Sequence, residues 1–122
     1  MSSTATYLNF AGNTEEVFNF YKSVFGTEFA GPIHRFGDIP SGNDMSELSE
    51  SDKNLVMHMA LPILGGHLLM GTDAPASMGF TVTQGNNIYI SLHPDSREET
   101  ETLFAKLSEG GTIEQPLDDM FW

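Results

Sequence analysis

A chain of 122 residues, 39% hydrophobic with nine Phe, three Tyr and one Trp, can build one packed domain and is too short for two. Five Lys+Arg against 17 Asp+Glu leave a formal net charge of −12, so no basic stripe exists to neutralise phosphates, which excludes nucleic acid and anionic membranes as expected partners. The absence of cysteine removes disulfides, thiolate catalysis and thiolate metal sites together. The N-terminal Met-Ser-Ser-Thr-Ala-Thr lacks a basic and then apolar leader pattern, and no apolar run nears the roughly 18 residues of a membrane span. The expectation is a cytoplasmic protein.

Residues 4–10, rich in Thr, Tyr, Leu and Phe, predict a strand. Asn13 with Glu16 supplies a capping signature for a helix whose stripe is Val17, Phe20, Tyr21 and Val24, widened by Phe18 and Phe25 and stopped at Gly26. Residues 28–36 predict a second strand, kinked at Gly31-Pro32, and the polar, acidic stretch 37–53 predicts a loop. In 54–63 the alternation puts Leu55, Met57, Met59 and Leu61 on one face and Val56, His58 and Ala60 on the other. Gly65-Gly66 is the turn into a returning strand that begins at 67–70, and 73–85 is a loop. Residues 87–93 predict a strand with Ile88, Ile90 and Leu92 alternating against Tyr89, Ser91 and His93, broken by Pro94. Ser96 with Glu99 repeats the capping signature ahead of Thr100, Leu103, Phe104 and Leu107; Gly110-Gly111 ends that helix, and 112–117 predicts a last strand.

The chain contains an internal repeat: residues 6–24 recur as 89–107, with Asn13 on Ser96, Glu16 on Glu99, Phe20-Tyr21 on Leu103-Phe104 and Val24 on Leu107. The predicted fold class is therefore α+β, one domain over 1–122 made of paired βαβββ modules that form a curved mixed sheet with a cleft. Module one spans about 4–72, and module two, about 86–122, is incomplete. The chain stops at Met120-Phe121-Trp122, an apolar ending that reads as a strand cut where it begins, with two strands of module two missing. The alternative is a true terminus docked in a pocket or on a partner.

The stretches Tyr7-Leu8-Asn9-Phe10-Ala11-Gly12-Asn13, Phe20-Tyr21-Lys22, Val24-Phe25-Gly26, Arg35-Phe36-Gly37-Asp38, Met57-His58-Met59, Gly65-Gly66-His67-Leu68-Leu69-Met70-Gly71-Thr72-Asp73-Ala74-Pro75 and Ser91-Leu92-His93, with the closing Phe121-Trp122, form a set. As a set they resemble the vicinal-oxygen-chelate superfamily, the fold shared by glyoxalase I, extradiol dioxygenases and bleomycin-resistance proteins. Within it the chain resembles the PhnB-like branch, some members of which carry the label demethylubiquinone methyltransferase-like. The resemblance implies a divalent metal held by a pair of side chains from each repeat, and a homodimer. The ligand positions match Thr6, its repeat mate Tyr89, and Met70 or Gly71; the fourth lies past Trp122. Hard divalent ions want carboxylate oxygens and borderline ones accept imidazole, so this set predicts no standard metal site, with a divalent metal elsewhere left open.

His58, mid-strand between two methionines, is the leading catalytic candidate: a general base or polar anchor, weighed against a hydrogen-bonded core histidine. His34, His67 and His93 read as bystanders, and no His-x-His or His-x-x-x-His pair exists. Through the resemblance, Thr6 and Tyr89, the latter with Ser91 on its face, are candidate ligand contacts, Tyr89 weighed against a strand tyrosine with its ring packed. Phe10, Met59, Met70, Phe121 and Trp122 are candidate walls of an apolar pocket, weighed against plain core. The acidic stretch 44–52 reads as a solvated lid. No strand–glycine loop–helix cofactor motif supports a methyltransferase. The expected function is small-molecule binding in the sheet cleft without the standard metal site. The alternative is a lyase-, isomerase- or oxygenase-type enzyme using His58 and Tyr89 or a non-standard metal, and methyltransfer is the remote third.

Overall fold

The computed structural model describes residues 2–38 and 48–119. Phe121, Trp122 and residues 44–47 of the acidic stretch 44–52 lie outside them. The chain divides into two compact units between Ile88 and Tyr89. No helix among the described residues is long and apolar enough to cross a membrane.

In the first unit β1 (Thr6–Phe10) leads to α1 (Thr14–Phe25), then to β2 (His34–Arg35), a one-turn α2 (Glu50–Lys53), β3 (Val56–Pro62) and β4 (Leu68–Asp73). The sheet order is β1-β4-β3-β2, with β1 parallel to β4 and the other pairings antiparallel. This is a complete βαβββ module, and the chain is α+β as predicted. The fold keeps the predicted hairpin: Gly65 and Gly66 both sit at positive φ, where a side chain would be strained, and turn β3 into β4. Gly26 closes α1 in the left-handed conformation, its N–H donating to the Lys22 carbonyl at 2.9 Å.

The core lies between α1 and one face of the sheet. Phe18 and Leu61 are fully buried, with Val56, Met59 and Leu69 close behind. Gly71 lets the helix approach: a Cβ there would stand 2.9 Å from Phe18 Cε1 and Cζ and from Thr14 Cγ2.

Four local expectations are corrected. Asn13 makes no side-chain cap bond; the first turn of α1 is closed from β4 by the buried Asp73, whose Oδ1 accepts from the Thr14 N–H at 3.0 Å and the Thr14 hydroxyl at 2.6 Å. A carboxylate complements the positive end of the helix better than a neutral amide does. The second strand is only His34–Arg35, because Pro32 has no N–H to give a ladder and a single Ala30 N–H bond to Ala60 holds the approach. The 37–53 stretch carries α2, capped by Ser49 Oγ, which accepts the Asp52 N–H at 3.1 Å. Finally, the alternation in β3 breaks at a bulge. His34 pairs with His58 but Arg35 with Val56, so Val56, Met59 and Leu61 are buried while Met57 and His58 are half-exposed.

Arg35 ties the edge of the sheet to α1. Its two terminal nitrogens donate to Glu15 Oε1 and Oε2, each at 3.0 Å, and Nη1 also donates to the Asn54 carbonyl at 2.7 Å. The Arg35 hydrogen bonds hold the Glu15 carboxyl below the ordinary carboxylate value of 4.5. A lowered folded-state pKa stabilises the fold above the ordinary value, and that contribution is lost as pH falls through the folded one. Urea unfolding across the acid range is expected to show wild type losing its advantage over Glu15→Gln below about pH 4.5. At neutral pH the gap is no more than about 1 kcal/mol, since the side chains are 32% and 43% exposed. Parallel curves for the two proteins would refute the pairing's role.

In the second unit α3 (Arg97–Ser108) is capped by Ser96, whose Oγ accepts the Glu99 N–H at 3.0 Å, while Glu99 Oε1 accepts the Asp95 N–H at 3.1 Å. The reciprocal cap thus closes one residue earlier than the Ser96–Glu99 box predicts. Gly110, at φ 73°, follows the helix end. The strands predicted at 87–93 and 112–117 are not in any ladder among the described residues. A strand exists by pairing, and with no neighbour among the described residues to take its amides this apolar alternation is irregular, leaving Ile88 81% and Tyr89 73% exposed.

Candidate functional site

The register of β1 on β4 sorts their side chains into two faces. Thr6 lies beside Leu69, Leu8 beside Gly71 and Phe10 beside Asp73, on the side packed against α1. Tyr7 lies beside Met70 and Asn9 beside Thr72, on the opposite, open face, because successive strand residues alternate. The β3 bulge adds Met57 and His58 to that open side.

Toward the Phe10/Asp73 end of the strands the open face carries a cavity of about 570 Å³. Its floor is Tyr7, Asn9, Met57 and Thr72; its walls are Phe36, from the turn after β2, and the irregular segment Phe80, Thr81, Val82 and Thr83. The lining combines aromatic and aliphatic carbon with hydroxyls and one amide. The carboxylate at its edge, Asp73, is already engaged: besides Thr14 it accepts the Val56 N–H at 2.8 Å through Oδ2. A neutral polar ligand fits such a lining, with carbon to pack on and donors and acceptors to orient it.

Beside the cavity runs a row of rings. The Tyr7 phenol oxygen is 3.4 Å from His58 Nδ1 with ring centres 5.9 Å apart, and His34, across the ladder, has its ring centre 6.4 Å from that of His58. Among the described residues no three His, Asp or Glu side chains gather as a metal-binding group.

Of the residues singled out in the sequence, His58 and Met70 stand on the open face. Thr6 and Phe10 stand on the helix-facing side. The Thr6 hydroxyl is 2.9 Å from His67 Nε2, and Phe10 meets Phe18 edge-on at 6.3 Å. Met59 is buried core. Tyr89 and Ser91 belong to the second unit. The Tyr89 hydroxyl donates to Glu114 Oε2 at 3.0 Å, which raises the phenol pKa, and Ser91 Oγ lies 3.0 Å from His93 Nε2. Trp122 lies outside the described residues. Sequence reasoning missed Tyr7, Asn9, Thr72, the 80–83 wall and the pairing of His34 with His58. The two-residue period of 6–10 already separates Tyr7 and Asn9 from Thr6, Leu8 and Phe10; what it lacks is which set faces the helix.

No protein-family model matches the chain, and no curated protein matches it. Solved structures do. Protein PA1353 from Pseudomonas aeruginosa has a TM-score of 0.79 and 32% identity, over 100% of this chain and 84% of that one. A PhnB protein from Bacillus cereus, provisionally named a 3-demethylubiquinone-9 3-methyltransferase, has a TM-score of 0.61 and 29% identity, over 94% of this chain and 80% of that one. The open sheet face described above therefore sits on a PhnB-like fold, and the chain belongs to the same family as PA1353.

Proposed function

We propose that this is a vicinal-oxygen-chelate-type protein that binds a small, uncharged, partly aromatic molecule on the open face of its first module. The observation that carries this reading is the cavity of about 570 Å³, with its carbon walls, its hydroxyls and its amide. The net charge of −12 favours neutral over anionic ligands. The residues at the superfamily's metal positions do not fit a hard divalent ion. The Thr6 hydroxyl is engaged with His67 on the helix-facing side, Met70 offers a soft thioether, and Gly71 offers no side chain.

A second reading, general acid–base chemistry at His58, is favoured by one contact: the Tyr7 phenol beside Nδ1. Methyltransfer, the activity in the Bacillus cereus protein's name, has less support. The N-terminus of α1, where a glycine loop would present free amides, is capped by the Asp73 carboxylate.

The test is a thermal-shift and calorimetric panel of neutral mono- and bicyclic aromatic compounds, with S-adenosylmethionine included. Saturable binding of a neutral aromatic compound is expected, weakened at least about tenfold, or about 1.4 kcal/mol, by Met57→Trp, which fills the floor of the cavity. Binding indifferent to that substitution, or S-adenosylmethionine as the sole hit, would overturn the proposal.

A further inference from the structure

The row of rings beside the cavity has a geometry that the cleft does not use. His34 and His58 are direct partners across the antiparallel β2–β3 pair, with ring centres 6.4 Å apart and planes inclined at 35°. Cross-strand partners on one face bring their side chains to the same point above the sheet. Two imidazoles on one ion have ring centres about 5 Å apart, given metal–nitrogen bonds of about 2.1 Å. Side-chain rotation alone covers the difference, and His34 is exposed and free to make it.

We infer that His34 and His58 form a two-imidazole site for a first-row divalent cation of the nickel, zinc or copper kind, on the open face and distinct from the superfamily's ligand positions. Imidazole nitrogen suits these ions and not magnesium or calcium. Tyr7 supplies the outer contact such a site needs. With His58 Nδ1–H donating to the phenol oxygen, the lone pair of Nε2 is left for the metal, the arrangement that fixes tautomer and ring orientation in histidine metal sites. The electrostatics agree. The net charge of −12 draws cations, and the one guanidinium next in sequence, Arg35, has its charge offset by the two-pronged Glu15 contact. No third His, Asp or Glu joins the pair among the described residues, so the remaining coordination positions belong to solvent.

The experiment is a calorimetric titration of the untagged chain with nickel chloride alone, so it stands apart from any cleft ligand and the two proposals fail separately. One saturable event per chain is expected. His34→Ala and His58→Ala each weaken it at least about tenfold, and Tyr7→Phe weakens it severalfold by freeing the ring. His67→Ala and His93→Ala leave it unchanged. His34 is exposed, so His34→Ala keeps the fold, which a thermal melt verifies, and it decides the matter even if His58→Ala is destabilised. Nickel binding equal in wild type and His34→Ala, or lost equally in His67→Ala or His93→Ala, would overturn the inference.

Discussion

Asp73→Ala is expected to lower the unfolding free energy by about 3–5 kcal/mol, a large share of the 5–15 kcal/mol of an ordinary domain. The carboxylate is only 3% exposed and, from the end of β4, bonds to the start of α1 and the start of β3. Oδ1 accepts from the Thr14 N–H and hydroxyl, and Oδ2 accepts from the Val56 N–H. Alanine leaves all three donors buried without a partner, and a buried unpaired donor costs more than the net worth of the bond it lost. It also removes the negative charge from the positive end of α1. Asp73→Asn should cost about half as much: its carbonyl still serves Thr14, but its amide turns a donor toward the Val56 N–H. Urea unfolding with unchanged m-values measures both. A loss under about 1 kcal/mol for the alanine variant would mean the clasp contributes little.

Gly71→Ala is expected to destabilise by about 1–2 kcal/mol although alanine is the better strand residue. The usual gain on removing a strand glycine, about 0.5–1 kcal/mol, is set against overpacking of about 1–3 kcal/mol. The new methyl would sit 2.9 Å from the Phe18 ring and from Thr14 Cγ2, and Phe18 is fully buried with no space to retreat into. Phe18→Leu alone costs stability by loss of ring packing, yet combined with Gly71→Ala it should cost less than the two single effects added, since the smaller side chain yields room for the methyl. Simple additivity, or a neutral Gly71→Ala, would show that the helix stands off the sheet farther than the contacts indicate.

Legibility followed the range of the interactions. The Gly65-Gly66 hairpin and the helix stops at Gly26 and Gly110 are announced within a few residues of themselves, and the structure has them where the sequence puts them, whereas the stripe of α1 is centred on Thr14, Phe18 and Val24, with Val17, Phe20 and Tyr21 half-buried. The Ser96 cap is likewise local. The candidate site was legible only in part. His58 is conspicuous as an imidazole in an apolar strand, but its neighbours Tyr7 and His34 come from other strands, and nothing near His58 in sequence names them. Asp73 reads as a turn residue after a strand, because its three donors lie on segments far along the chain. The bulge that turns Met57 toward the open face depends on the pairing of a two-residue β2, too short to carry a pattern of its own.

The sequence by itself determined the α+β class, the order β1, α1, β2, β3, β4 and the two long helices with their ends, because periodicity and capping act over one or two turns of chain. Only the tertiary structure decided which parity of β1 faces the helix, since that choice is made by the missing side chain of Gly71 on β4. It also decided that 87–93, patterned as a strand, stays out of a sheet, because a strand is made by the partner that takes its hydrogen bonds and alternation alone supplies none.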